Sequence, residues 1–101
     1  MIAAVVPIKR GKITLPFFDY EIPGDMSDKI KIGQLVEIPL RGRNEFGVVR
    51  ALARASSIKN LKSIGKIIHE RPFFNPESLK FFEEISELYH TSLGSIIKSA
   101  L

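Results

Sequence analysis

A single carboxylate set among aromatic rings forms the most informative cluster in the sequence. Asp19 lies between Phe17-Phe18 and Tyr20, in a part of the chain rich in lysine and arginine. Nucleobases stack on aromatic side chains at ~1–3 kcal/mol per base, while lysine and arginine follow the phosphates of a single strand. Taken alone, the residues favour a plainer arrangement, in which strand alternation turns Phe18 and Tyr20 into the core and Asp19 outward.

A basic turn supplies the second candidate cluster. Arg41-Gly42-Arg43 follows Pro39-Leu40, and its two guanidinium groups can each fork onto a phosphate. The alternative is a type I or II turn that happens to be basic. Lys62 follows a polar stretch and can join the same patch. Because a carboxylate repels phosphate, Asp19 suits such a patch only by accepting hydrogen bonds from a hydroxyl or a base edge. This favours a strand end with a free hydroxyl.

Side chains for catalysis or metal binding are scarce. The chain has no cysteine, which excludes a disulfide scaffold and a thiolate zinc site. The glycines never form a phosphate-binding loop of the GxxxxGK[ST] type. His69 and His90 have no partner at metal-ligand spacing. The sequence therefore predicts no catalytic residue, no metal site and no cofactor in this chain.

The elements that position the two clusters divide the chain into two parts. Up to about residue 70, short apolar runs are separated by glycine and proline, which predicts a small curled β-sheet or barrel. The expected strands are residues 2–6, 17–22, 35–38, 46–52 and 64–69, the third ending before Pro39. Beyond them, the apolar spacing changes to that of a helix. We therefore predict an α+β fold with two short C-terminal helices, at about residues 76–89 and 92–100.

The helix signals are local. Asn75 can cap the first helix and Pro76 suits its first position, while the second helix is expected to begin near Ser92. Helical spacing places the apolar residues of the first helix on one stripe and most of its charged residues opposite. The stripe comprises Leu79, Phe82, Ile85, Leu88 and Tyr89, and the opposite face holds Lys80, Glu83, Glu84 and Glu87.

Charge separates the same two parts. The length of 101 residues predicts a single domain, and 45% apolar with 26% charged residues is ordinary globular usage. Residues 1–72 carry a net charge of +6 and residues 73–101 a net charge of −2, for a total of +4. A basic body of this kind attracts polyanions, with an affinity that falls as salt rises. Lys12 and Arg43 are expected to contact phosphate. No apolar run reaches the ~18 residues of a membrane span, so we expect a soluble, cytoplasmic protein without a membrane partner.

Five segments resemble one family in the same order. Pro16–Pro23 resembles the "FDY.(L/I)P" segment of bacterial primosomal protein N′, the PriA replication-restart helicase. The later segments are similar to its "G..V.VP(F/L)", "G(I/V)V", "LK.(I/V)..(V/I)(L/I)" and "YY...(L/I)G" stretches. They are residues 32–43, where a basic turn follows the stretch, and residues 47–49, 61–68 and 89–94. The resemblance covers nearly the whole chain.

The resemblance implies a DNA-binding domain that captures the free 3′ end of a nascent leading strand at a stalled fork. By position, Phe18, Asp19 and Tyr20 would line the pocket, with Asp19 accepting hydrogen bonds from the terminal nucleotide. Lys62 would contribute from the facing strand. The family often has glycine directly after its "VPF" triplet as a pocket wall. Here Arg41 stands there and Gly42 follows, so either residue can form the wall.

The resemblance also implies that the chain is the N-terminal part of a longer ATP-dependent 3′→5′ DNA helicase. ATP, Mg²⁺ and Zn²⁺ would belong to the remainder. Expected partners are forked or single-stranded DNA, the remaining domains of the helicase, other primosome proteins and single-strand-binding protein. Another interpretation is a generic small-barrel module that contacts RNA or a protein without end recognition, the protein contact being made through its acidic helix face. An independent enzyme is disfavoured because no acid–base or nucleophile pair is visible.

Overall fold

The fold is a five-stranded antiparallel sheet followed in the chain by two C-terminal helices. The computed structural model describes residues 1–8, 17–55, 60–89 and 91–101; Lys12 and His90 lie outside these ranges. The sheet order is β2-β1-β4-β3-β5. The strands are β1 (Ile2–Pro7), β2 (Phe18–Glu21), β3 (Leu35–Leu40), β4 (Arg43–Ala53) and β5 (Lys66–Ile67), and the helices are α1 (Pro76–Tyr89) and α2 (Leu93–Ala100). The predicted α+β class and both helices are confirmed.

The sheet curls but, over the described residues, does not close into a barrel. Its two edges are β2 and β5, and the segment just before β5 crosses back to β2 through one parallel bridge between Glu21 and Ser63. The amide of Glu21 donates to the carbonyl of Lys62 at 2.9 Å, and the amide of Ile64 donates to the carbonyl of Glu21 at 3.1 Å. This bridge brings residues 60–62 against the strand that carries Asp19.

Strand β3 continues through Pro39, contrary to the prediction that it ends before this residue. Leu40 pairs with Arg43, so Arg41-Gly42 is a two-residue hairpin turn, and β4 begins at Arg43 rather than Phe46. Their φ angles of 53° and 78° are those of a type I′ turn, not of type I or II. The pair closing such a turn is hydrogen-bonded, so the next pair, Pro39 with Asn44, is not. The missing N–H of Pro39 therefore removes no ladder bond.

Two apolar clusters lie on opposite faces of the sheet. Neighbouring residues alternate between them: Val5 and Val49 belong to the first cluster, Val6 and Val48 to the second. The buried members of the first cluster are Ala3, Val5, Tyr20, Ile22, Ile30, Val36, Ile38, Val49 and Ile64. The second joins the sheet to the helices and includes Leu79, Leu93 and Ile97. Because side chains alternate between the two faces of β1 and β4, one sheet packs against a separate apolar cluster on each face.

The caps confirm the helix starts. The amide of Ser78 donates to Oδ1 of Asn75 at 2.7 Å, and the amide of Ser95 donates to Oγ of Ser92 at 3.2 Å. Each cap satisfies an amide that has no partner within its own first turn. Among the described residues, no helix is both long and apolar enough to cross a membrane.

The apolar stripe predicted for α1 is only partly buried. Leu79 is buried, yet Leu88 and Tyr89 are 71% and 69% exposed. Glu83, expected on the solvent side, instead pairs with Arg50 of the sheet. Arg50 is the extra residue of a bulge in β4, since Ala4 pairs with Ala51 but Val5 with Val49. The ion pair turns the Glu83 side of α1 toward the sheet.

The loop before β3 is fixed by a buried amide. Gln34 is fully buried, and its Oε1 accepts from the amide of Lys31 at 2.7 Å. Its Nε2 donates to the carbonyls of Lys29 and Glu70 at 2.9 and 2.7 Å. One side chain therefore ties the loop to the segment that leads into α1, with its polar atoms satisfied.

Candidate nucleic-acid interface

One open pocket brings together most of the predicted site. It has a volume of about 230 Å³ and lies between β2, the tip of the β3–β4 hairpin and the segment before β5. Five of the six residues predicted for 3′-end binding line it, together with four others. The lining is Phe18, Asp19, Tyr20, Pro39, Leu40, Arg41, Asn60, Leu61 and Lys62.

The aromatic residues of the pocket are mainly structural. Tyr20 is only 4% exposed, and its Oη donates to the carbonyl of Pro39 at 2.8 Å. Burial raises the pKa of the Tyr20 phenol. Phe18 is half-buried against the first cluster, so part of its ring faces the pocket. Phe17 packs with the second cluster, where the Arg50 guanidinium lies 4.5 Å from its ring centroid. Because Tyr20 is buried and Phe17 packs with the other cluster, Phe18 is the ring of this group that can contact a ligand in the pocket.

The hairpin contributes a cation through an unusual backbone conformation. Arg41 adopts a positive φ, which places its exposed side chain at the rim of the pocket. Gly42 shares the turn but does not line the pocket, and a Cβ built on it meets nothing within 4 Å. The sequence allowed either Arg41 or Gly42 to form the pocket wall. Of these two residues, Arg41 lines the pocket.

The facing wall comes from residues 60–62. Lys62 is exposed, and its backbone is held by the hydrogen bond from Glu21. Asn60 has a φ of 60°, a conformation that asparagine tolerates better than most residues. Sequence reasoning did not select Asn60, Leu61, Pro39 or Leu40 for the site. The asparagine just before Leu61-Lys62 could have indicated a sharp bend. That Pro39 and Leu40 lie at the pocket follows only from the strand register of the hairpin.

The pocket mixes two cations with one carboxylate. Arg41 and Lys62 can hold a phosphate, whereas Asp19 accepts hydrogen bonds and repels a second anion. The half-buried Phe18 and the aliphatic Leu61 offer apolar contact to a base or sugar. This combination suits one 3′-terminal nucleoside, with its 5′ phosphate at the rim of the pocket. The volume is below the ~300–1,000 Å³ of pockets for drug-sized ligands, which also suits a single nucleoside.

Two predicted phosphate contacts fall elsewhere. Arg43 is exposed at the first position of β4 and does not line the pocket, although it is two residues from Arg41. Lys12 lies outside the described residues. Within the described part of the chain, no group of three or more His, Asp or Glu side chains could hold a metal ion.

Cavities between the helices and the sheet are less suited to a polyanion. One of about 200 Å³ is lined by Arg50, Glu83, Ser86, Glu87 and Leu93. It contains two carboxylates, and its arginine is already paired with Glu83. A phosphate placed there would meet a net negative surface.

Comparison with known proteins identifies the family of the chain. The family of 3′DNA-binding domains (3′BD) named for PriA matches residues 4–101. The chain belongs to this PriA 3′DNA-binding domain family. Replication restart protein PriA of Rickettsia conorii (strain ATCC VR-613 / Malish 7) is 34% identical over an alignment 99 residues long, and the match covers 93% of this chain. The chain spans 15% of the length of that relative. The family resemblance inferred from the five segments is therefore confirmed.

Proposed function

We propose that this 3′DNA-binding domain recognises the free 3′-hydroxyl end of a DNA strand in the pocket around Asp19. The observation that carries the proposal is the convergence of Asp19, Arg41 and Lys62 from three separate segments on one cavity. A hydroxyl can donate to the Asp19 carboxylate, whereas a phosphate at the same place would be repelled. The site therefore distinguishes a strand end from continuous backbone.

In this proposal Arg41 and Lys62 hold the 5′ phosphate of the terminal nucleotide, and Phe18 contacts its base or sugar. None of these contacts requires a particular base at the end. Such a domain can serve at any stalled fork, where the sequence at the nascent 3′ end is arbitrary. Arg43 contributes to affinity by neutralising backbone phosphate farther along the strand.

We further propose that the domain acts at the N-terminus of an ATP-dependent 3′→5′ DNA helicase that restarts replication. The membership in the PriA family supports this proposal. ATP hydrolysis, with Mg²⁺ and Zn²⁺, is assigned to the rest of the longer protein. Other primosome proteins and single-strand-binding protein are proposed partners of that whole protein, which would work in the bacterial cytoplasm.

The first test compares two short single strands that differ only at the 3′ end, one with a hydroxyl and one with a phosphate. Fluorescence anisotropy at fixed salt should show tighter binding of the hydroxyl strand. Asp19→Ala should abolish this preference, because a hydrogen bond to a charged acceptor contributes ~1.5–3 kcal/mol, about tenfold or more in affinity. Asp25→Ala, which removes an exposed carboxylate outside the pocket, should leave the preference intact.

A second variant separates end recognition from charge. Arg43→Ala should weaken binding to both strands equally and lower the slope of log K against log salt by about 1. Equal binding of the two ends by the unaltered protein would reject the terminus pocket and favour a module that grips backbone alone. Failure to bind either strand would indicate that this surface serves a protein partner.

A further inference from the structure

A second cavity adjoins the proposed 3′-end pocket. It has a volume of about 420 Å³ and is lined by Ile2, Glu21, Asn60 and Leu61. Asn60 and Leu61 also line the first pocket, so this segment is a wall common to both cavities. A strand leaving the first pocket past Asn60 therefore passes directly into the second.

The two cavities repeat one arrangement along β2. Asp19 pairs with Ala4 and Glu21 with Ile2, so both carboxylates lie on the same face of the sheet, two residues apart. Two residues along a strand advance by about 6.6 Å. Each cavity thus has one carboxylate from β2 on one side and the segment 60–61 on the other.

The chemistry of the second cavity suits a nucleobase and not a phosphate. The Glu21 side chain is exposed and would repel a phosphate, but it can accept from an exocyclic amino group, as acidic residues do from N4 of cytosine. The Asn60 amide can both donate and accept, while Ile2 and Leu61 offer apolar contact to a base. Lys62 lines the first pocket only and lies next to this shared wall, where a linking phosphate would pass.

We propose that this cavity binds the penultimate base of the strand and favours cytosine, whose exocyclic amino group can donate to Glu21, over thymine, which has no such group. The inference rests on the proposed 3′-end function. It adds a base preference at the second position to a terminal pocket that is indifferent to the base. Glu21 is the specificity-determining residue.

The test uses short single strands with a free 3′-hydroxyl and one constant terminal nucleotide. The penultimate position carries cytosine, thymine or an abasic site, and a matched set carries the same changes farther inside the strand. Fluorescence anisotropy should show cytosine binding about two- to tenfold tighter than thymine, less than for Asp19, because Glu21 is exposed and water competes for its carboxylate. The abasic strand should bind more weakly than the cytosine strand, and the internal changes should have no such effect.

Variants then assign the effect to the cavity. Glu21→Ala should remove the difference between cytosine and thymine while retaining the preference for 3′-hydroxyl over 3′-phosphate. Glu84→Ala removes an exposed carboxylate on α1 and should change neither preference. If all penultimate strands bind equally while the 3′-hydroxyl preference holds, the second subsite is rejected and the terminal pocket stands. If the internal changes have the same effect as the penultimate ones, the subsite is also rejected. If the unaltered protein shows no 3′-hydroxyl preference, both proposals fail.

Discussion

The Oη of Tyr20 donates a 2.8 Å hydrogen bond to the carbonyl oxygen of Pro39, joining β2 to the β3–β4 hairpin. Because Pro39 and Asn44 form a non-hydrogen-bonded pair, this carbonyl points away from β4 and is available to the phenol. Both residues line the pocket. The bond therefore fixes the distance between the strand that carries Asp19 and the turn that carries Arg41.

Removing this bond should destabilise the fold. Tyr20→Phe leaves the Pro39 carbonyl without its partner, and we expect the free energy of unfolding to fall by about 1 kcal/mol. Urea denaturation measures the change. Tyr89→Phe is the matched control, since Tyr89 is 69% exposed and should give no change. An equal loss in both variants would contradict a specific role for the Tyr20 phenol.

The same phenol should make stability depend on alkaline pH. Burial raises the pKa of Tyr20 above the ordinary value of 10.0, so above that pH the unfolded chain releases a proton that the folded protein retains. Its contribution to stability is complete below pH 10 and declines as pH rises through the folded pKa. The stability advantage of the unaltered protein over Tyr20→Phe should therefore shrink above pH 10. Urea titrations at several alkaline pH values measure it, and a constant difference would contradict the prediction.

Arg41 should show opposite effects on stability and DNA binding. Its positive φ is unfavourable for arginine, while asparagine followed by glycine is a preferred type I′ turn. Arg41→Asn should raise the free energy of unfolding by up to about 1 kcal/mol and weaken DNA binding through the lost cation. Thermal unfolding and anisotropy measure the two effects. Undiminished DNA affinity would show that Arg41 contacts no phosphate.

The bulge in β4 links α1 to Phe17, the residue that precedes β2. Arg50 pairs with Glu83 of α1 and stacks on Phe17, which is adjacent to Phe18. A double-mutant cycle of Arg50→Ala and Glu83→Ala should give a coupling energy of about 1 kcal/mol, because both side chains are partly shielded from water. Pairing Arg50→Ala with Lys66→Ala, which removes a cation on β5 away from this ion pair, should give no coupling. Additive effects of Arg50 and Glu83 would contradict the observed ion pair.

Two glycines with positive φ differ in the space around them. A Cβ on Gly33 would come within 1.7 Å of the Phe74 carbonyl oxygen, whereas a Cβ on Gly42 meets nothing within 4 Å. Gly33→Ala should therefore cost ~3 kcal/mol or more, and Gly42→Ala only the ~1–2 kcal/mol of its backbone strain. Gly24→Ala, with open space and no positive φ, serves as control. Chemical denaturation ranks the three variants, and similar losses for Gly33 and Gly42 would contradict the predicted clash.

Local signals made the helices predictable, but long-range pairing limited the prediction of the sheet. Asn75 and Ser92 predict helix starts because their side chains can cap a first turn, and both caps are present. Pro39 would end the strand only if its missing N–H removed a hydrogen bond between strands. That depends on the register with Asn44 and on the short reach of β5, which pairs only with Val36 and Glu37. Neither is visible in a local window of sequence.

The pocket was predictable as a set of residue types and less so as a shape. The resemblance selected Phe18, Asp19, Tyr20, Arg41 and Lys62, which the fold brings to one cavity. Their roles in binding remain predictions. The sequence could not decide between Arg41 and Gly42, because the answer depends on where a two-residue turn begins. Nor could it place Glu83 beside Arg50, because the bulge that turns Arg50 toward α1 arises from pairing between distant strands.

The bridge between Glu21 and Ser63 also covers part of a strand edge. The outer edge of β2 would otherwise present unpaired amide and carbonyl groups, a template on which another chain can add a strand. The segment around Ser63 occupies that edge at Glu21. The segment 60–64 thus forms a wall of the pocket and shields the β2 edge at Glu21 from strand addition by another chain. Variants in this segment that are made to alter DNA affinity should therefore also be tested for aggregation.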